Sequence, residues 1–216
     1  MTEKKSIIKK AITAETIADV ATGYYLLLRI IRLSKKRRRD PELRIKTLER
    51  RAYSIDRILY EFLKRFNVEV NPNLSGVETF SGDLGETGAT FTTIVSFDTV
   101  EEVCSKLREI DRTNGGQLEQ RFLENGSEDW LGRCMPLFGE NSINNMINIR
   151  KDMVISDIRR NLVCVLVHEL VHQTDLIEIY IKDDLKQKIK VTDLANLLNY
   201  MIKSCLTNLC GMKNQE

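Results

Sequence analysis

The sequence predicts an α+β fold in which two N-terminal helices precede a small sheet and one long central helix. Three observations support this class. Apolar residues recur every three or four positions through the first 66 residues, which is typical of helices. Two later segments, 89–97 and 145–150, are rich in β-branched residues or alternate between polar and apolar, as strands do. From Leu162 onward, the segment 156–180 is apolar on almost every face, as in a buried helix.

The first 66 residues are predicted to form an antiparallel helical hairpin. The second helix is expected to begin at Asp40-Pro41, because aspartate caps a first turn and proline is favoured at its first position. The apolar seam of the first helix is Ile17, Val20, Tyr24, Leu27 and Ile31, and that of the second is Ile45, Leu48, Ala52, Ile55, Leu59, Phe62 and Phe66.

Charge and composition divide the chain into three parts. Residues 1–66, the predicted basic hairpin, carry 18 Lys/Arg against 8 Asp/Glu, a net charge of +10, whereas the remainder carries 15 against 23, a net charge of −8. Residues 67–90 are rich in Asn, Gly, Ser and Thr and are expected to be a linker or a long loop. Residues 91–216 form the third part. Such charge asymmetry favours separate modules.

The basic cluster Lys35–Arg39 between the two helices has two interpretations. It could bind nucleic acid or an anionic surface. Alternatively, the basic side chains complement the dipole at the end of the first helix and remain solvated. Both stay open at this point.

The sequence favours a cytoplasmic protein. The most apolar stretch, 24–28, is flanked by charged residues and is shorter than the ~20 residues that a transmembrane helix needs. The five cysteines are an odd number without framework spacing, which agrees with a reducing compartment. An exported effector without a cleaved signal is the alternative.

The elements of the third part follow from local signals. Strand 89–97 is followed by a helix with a capping box from Thr99 to Glu102. The stretch 113–144 is expected to be mostly irregular and to line a cleft. Strand 145–150 then leads to the long helix, for which Ser156 or Asp157 is the predicted N-cap.

Both histidines of the chain lie in one pentapeptide, His168-Glu169-Leu170-Val171-His172. Residues four apart lie on the same face of a helix, so both imidazoles can bind one zinc ion at about 2.0–2.1 Å. Glu169 can then act as general base toward a zinc-activated water. The competing interpretation is a buried helix with two structural histidines.

A strand followed by a helix that carries H-E-x-x-H resembles the active-site unit of the zincin metallopeptidases. The resemblance covers residues 145–180. It implies a zinc-dependent endopeptidase in which a zincin-like helix packs on a small sheet, with Zn²⁺ as the cofactor and a protein or peptide as the substrate.

No histidine remains to serve as a third zinc ligand, so a carboxylate is expected. We rank Asp193 first, Asp175 second and Glu178 third. Asp193 shares a predicted helix face with Leu197 and Met201 and follows the motif by about twenty residues, although it could instead be a first-turn acid that complements the helix dipole. Cys164 shares the histidine face but is more typical of a buried apolar residue.

Two further roles are predicted for the site. The oxyanion of the tetrahedral intermediate needs a donor, and the candidates are Tyr180, Tyr200 and Arg150. A substrate peptide is expected to extend along an edge strand near Ile147–Ile149. The alternative function is a non-enzymatic module that binds nucleic acid or protein and contains a degenerate zincin-like domain.

Overall fold

The computed structural model describes residues 12–33, 41–66, 68, 76–83, 90–110, 120, 132–138, 142–150, 159–180 and 190–212. The predicted α+β class is confirmed. The helices are α1 (Ala14–Leu33), α2 (Pro41–Leu63), α3 (Val100–Ile110), α4 (Arg159–Tyr180) and α5 (Val191–Asn208). The strands are β1 (Val77–Asp83), β2 (Thr90–Asp98), β3 (Gly132–Phe138) and β4 (Ser142–Arg150).

The sheet has the order β1-β2-β4-β3. Its two inner strands, β2 and β4, run parallel, while β1 and β3 pair antiparallel with them at the two edges. The inner strands correspond to the two strands predicted from sequence. Their register places Val95 beside Ile147 and Phe97 beside Ile149, and these four side chains are buried in the main core.

The edge strands were not predicted. Strand β1 lies within 67–90, which was expected to be a linker or loop, and β3 lies within 113–144, which was expected to be mostly irregular. Neither segment alternates strongly between polar and apolar residues, and an edge strand can form without such alternation. Its backbone hydrogen bonds to the neighbouring strand supply the order that its side chains do not encode.

The seam predicted for α2 is confirmed where its side chains are described, since Leu48, Ala52, Ile55 and Leu59 are buried. The seam predicted for α1 is wrong in its second half. Its buried face is instead made by Ala14, Ile17, Ala18, Ala21, Tyr25 and Arg29, while Tyr24, Leu27 and Ile31 are exposed. The stripe shifts by one residue because Tyr25 and Arg29 face a buried carboxylate on α4.

The N-terminal helices share one hydrophobic core with α4, α5 and the sheet. Helix α1 runs antiparallel along α5, where Lys203 donates to Glu15 at 3.2 Å and Asn199 donates to Asp19 at 3.0 Å. Helix α2 packs mainly along α4. Described residues from α1 and α2 thus lie in the same core cluster as residues from α4, α5 and the sheet, and the division into three parts stays a prediction.

Helix α3 covers the opposite face of the sheet. Its predicted capping box is confirmed, since the Thr99 backbone N–H donates to Glu102 at 2.7 Å and the Glu102 N–H donates to the Thr99 hydroxyl at 3.2 Å. Lys106 forms an ion pair of 2.7 Å with Asp98, which lies on the alternate face of β2 from Phe97. Helices α4 and α5 therefore pack on the other face of the sheet, which carries the main core.

Among the described helices, none combines the length and the apolar character that crossing a membrane requires.

Candidate metal centre

Helix α4 presents the pentapeptide 168–172 in the middle of the fold. It is a 22-residue helix, as predicted, and the candidate N-caps Ser156 and Asp157 lie outside the described residues. Leu166, Val167, Leu170 and Val171 are fully buried. Apolar residues occupy most faces of this helix, and over 162–177, where burial is described, only the stripe that carries the histidines is partly exposed.

His168 and His172 converge. Their Nε2 atoms lie 2.9 Å apart, and their ring centroids are separated by 4.6 Å. Two nitrogen ligands of a tetrahedral zinc ion at about 2.0–2.1 Å lie about 3.3 Å from each other. A small rotation of either ring would open the pair to that spacing, so the two nitrogens fit a shared metal ion.

The electrostatic environment keeps both rings neutral. Burial, and secondly the neighbouring His172, lower the pKa of His168 to about 4. Burial also lowers the pKa of His172, although the negative charge of Glu49 opposes that shift. A neutral imidazole is the form that binds metal. Both histidines are therefore in their ligand form at neutral pH.

The second ring nitrogen of His168, Nδ1, lacks among the described residues the hydrogen bond that a metal-binding histidine usually makes. Its Nδ1 atom is buried and has no hydrogen-bond partner within the described part of the chain. Metal-binding histidines usually donate this N–H to a carbonyl, carboxylate or water. The described residues thus supply the two metal-facing nitrogens but not this outer contact.

Glu169 is buried against the start of β3. Only 8% of its surface is exposed. A Cβ atom added to Gly132 would lie 2.9 Å from Glu169 Cγ and 2.7 Å from Val165 Cγ1, which is closer than any side chain can come. Gly132 therefore allows β3 to pass directly over the glutamate. Sequence reasoning missed this residue, because an isolated glycine does not reveal which distant segment it approaches.

Helix α2 forms the second wall of the site. Tyr53 packs edge-on against His168 with ring centroids 4.9 Å apart. One turn further along α2, Asp56 hydrogen-bonds to the Cys164 thiol, one turn before His168. Burial, and secondly Asp56, raise the pKa of Cys164. Cys164 is thus a buried thiol that lies beside a carboxylate.

Asp175, the second-ranked ligand candidate, is hydrogen-bonded to side chains of α1 and α2. Its Oδ1 atom accepts hydrogen bonds from Tyr25 at 3.1 Å, from Arg29 at 3.3 Å and from Arg51. All four side chains are buried. The straight helix also carries Asp175 nearly a turn beyond His172. Asp175 therefore ties α1 and α2 to α4, and within the described residues it forms no metal-binding group with the histidines.

Asp193, the first-ranked candidate, is exposed in the first turn of α5, and it accepts a hydrogen bond of 3.1 Å from the Lys190 backbone N–H. It is the first-turn acid that the alternative interpretation described. Glu178 lies in the last turn of α4, and its side chain lies outside the described part. Within the described ranges, no three His, Cys, Asp or Glu side chains form a group that could hold a metal ion. The structure therefore does not bring Asp193 together with the histidines.

Tyr200 and Arg150 are the two predicted oxyanion donors whose side chains are described, and neither is placed against the histidines. Tyr200 is 62% exposed and packs against Phe80 at 5.7 Å. Arg150 follows Ile149 in β4, and the alternation of a strand places it on the face opposite α4. The side chain of Tyr180 lies outside the described part. The phenol that the structure places beside the motif is Tyr53, which lies far from it in sequence.

The strand expected to bind substrate is also corrected. Ile147 and Ile149 lie in β4, which pairs with β2 on one side and β3 on the other and so has no open edge. Strand β3 is the edge on the side of Glu169.

Comparison of the chain with models of protein families, with curated proteins and with solved structures found no match.

Proposed function

We propose that this protein is a zinc-dependent endopeptidase in which His168 and His172 hold the metal ion and Glu169 is the general base. The observation that carries the proposal is the convergence of two neutral histidine nitrogens, 2.9 Å apart, beside a buried carboxylate. The chain has only two histidines, and both lie at one point. Glu169, which follows the first of them, is the carboxylate that a zinc-dependent hydrolysis requires as its base.

Zinc, when bound, polarises the scissile carbonyl and lowers the pKa of water. Glu169 takes the proton from the attacking water as the new C–O bond forms. It then delivers that proton to the leaving amine as the C–N bond breaks. Gly132 holds the base in place by leaving no space between β3 and α4.

The chain offers two further groups for the reaction. Tyr53 is 64% exposed and packs against His168, so its hydroxyl can donate to the oxyanion of the tetrahedral intermediate. Strand β3 offers an edge at Glu169, along which an extended peptide can add as a further strand. These two groups replace the donors and the strand that were expected from sequence.

The experiment that tests the proposal separates metal binding from chemistry. Protein purified without added metal should contain about one zinc per chain by elemental analysis, and His168→Ala should remove it. Glu169→Gln should keep the zinc and lose cleavage of a labelled protein substrate. Zinc retained by a His168→Ala/His172→Ala double variant, or full cleavage by Glu169→Gln, would refute the assignment.

A non-enzymatic binding protein is the second candidate. It is favoured by one observation, namely that no three-ligand group occurs within the described residues. It predicts that neither the parent protein nor Glu169→Gln cleaves any protein substrate. If the parent protein cleaves a substrate and Glu169→Gln does not, the binding-protein candidate is excluded.

A further inference from the structure

We propose that Glu49 of α2 is the third metal ligand of the site, supplied from the N-terminal side of the motif rather than from downstream. This inference rests on the proposed function, because it assumes a metal ion on His168 and His172. It deepens that function by completing the ligand set from an unexpected helix.

The register of α2 against α4 carries the proposal. Three contacts show that α2 and α4 run antiparallel, because the residue number falls along α2 as it rises along α4. These contacts are Asp56 with Cys164, Tyr53 with His168 and Arg51 with Asp175. Glu49 precedes Tyr53 by one helical turn, and His172 follows His168 by one turn. In an antiparallel pair of helices, the residue one turn toward the N-terminus of one helix lies beside the residue one turn toward the C-terminus of the other. Glu49 therefore lies beside His172.

The charges agree with this register. Glu49 is the carboxylate whose negative charge acts on His172. It is exposed, so a change of rotamer can turn it toward the histidines at little energetic cost. In the structure the carboxylate does not yet form a three-ligand group with the described histidines, and the turn of this side chain is the movement that metal binding requires.

Other acids near α4 are less suited to the role. Asp175 is held by Arg29 and Arg51, and Asp56 is bonded to Cys164 on the far side of Tyr53. Asp193 caps its own helix. Glu169 follows His168 directly, so it faces β3 rather than the histidine stripe. Glu49 combines an exposed side chain with a position beside the open side of the histidine pair.

The test measures zinc affinity of the full chain by competition with a chromophoric chelator. Glu49→Gln should weaken zinc binding by more than about 100-fold, since changes to outer-shell partners alone cost about 10–100-fold. Two matched variants should leave affinity within about threefold, because they remove no ligand: Glu61→Gln, on an exposed part of the same helix, and Asp193→Asn. Circular dichroism of the metal-free proteins would show that all variants fold.

A second variant separates coordination from simple charge attraction. Glu49→His should recover most of the affinity that Glu49→Gln loses, because imidazole binds zinc without a negative charge. No recovery would mean that Glu49 acts only through its charge and would overturn the ligand assignment. Parental affinity in Glu49→Gln would overturn it as well, while leaving His168 and His172 intact. Zinc binding that is indifferent to His168→Ala would instead refute the proposed function itself.

Discussion

The phenol of Tyr25 in α1 donates a hydrogen bond of 3.1 Å to the carboxylate of Asp175, three residues after His172 in α4. Arg29 and Arg51 donate to the same oxygen atom, so side chains from three helices meet at one buried carboxylate. Through this contact the two N-terminal helices hold the histidine helix. The orientation of the histidine pair therefore depends on residues more than a hundred positions away in sequence.

Removing the charge of Asp175 should strongly destabilise the fold. Asp175→Asn would remove the negative charge that faces two buried guanidinium groups, and breaking a buried pair in this way costs about 3–5 kcal/mol. Urea unfolding of the metal-free protein measures the loss. The control is Glu61→Ala, which breaks the exposed pair with Lys64 and should cost less than about 1 kcal/mol. Equal effects of the two substitutions would contradict a structural role for Asp175.

Adding one methyl group at Gly132 should impair catalysis while sparing metal binding. The Cβ atom of Gly132→Ala would lie 2.9 Å from Glu169 Cγ, so either β3 or the proposed general base must move, and overpacking of this kind costs about 1–3 kcal/mol. We expect peptide hydrolysis to fall at least tenfold, which corresponds to about 1.4 kcal/mol in the activation barrier, with zinc content unchanged.

The control for this variant is Gly23→Ala. Gly23 lies inside α1, where an added Cβ atom meets nothing within 4 Å, so alanine should stabilise the helix by about 0.5–1 kcal/mol. Hydrolysis should not change. Full activity in Gly132→Ala would show that the close approach of β3 does not position Glu169.

The metal-free protein should lose stability in mild acid because of its histidines. The pKa of His168 is lowered from 6.5 to about 4, so below pH 6.5 the unfolded chain binds a proton that the folded chain still excludes. The free energy of unfolding contributed by this group is therefore fully present above pH 6.5 and is lost progressively as the pH falls toward 4.

Urea unfolding of chelator-treated protein between pH 7 and 4 checks this dependence, with His168→Gln as the comparison. Glutamine does not titrate, so the variant should lose less stability over the same interval. Parallel curves for the two proteins would show that His168 titrates alike in the folded and unfolded chains.

The basic cluster Lys35–Arg39 lies outside the described residues, and its anionic partner remains a prediction. If it binds nucleic acid, replacing these side chains with glutamate should weaken binding and reduce its dependence on salt, since each phosphate contact releases counterions. Titration of a labelled oligonucleotide at two salt concentrations measures both. Zinc affinity should not change, because Glu49 lies more than two helical turns beyond the cluster. Binding that is insensitive to salt would remove the electrostatic interpretation.

Local patterns account for what could be predicted of the helices. The seam of α2 and the capping box of α3 are encoded by residues within a few positions of each other, and both are confirmed. The seam of α1 failed beyond Val20 because a buried arginine broke the rule that charged residues face solvent. Arg29 is buried opposite Asp175, and that partner is distant in sequence.

The sequence by itself determined the α+β class, the two inner strands and the His-Glu-x-x-His helix, because each is written in the spacing of neighbouring residues. Only the tertiary structure decided which strands form the edges, that Gly132 lies against Glu169, and that Tyr53 of α2 packs against His168. The physical reason is that these relationships are contacts between segments distant along the chain. Such contacts depend on register and packing direction, which periodicity within a single segment does not specify.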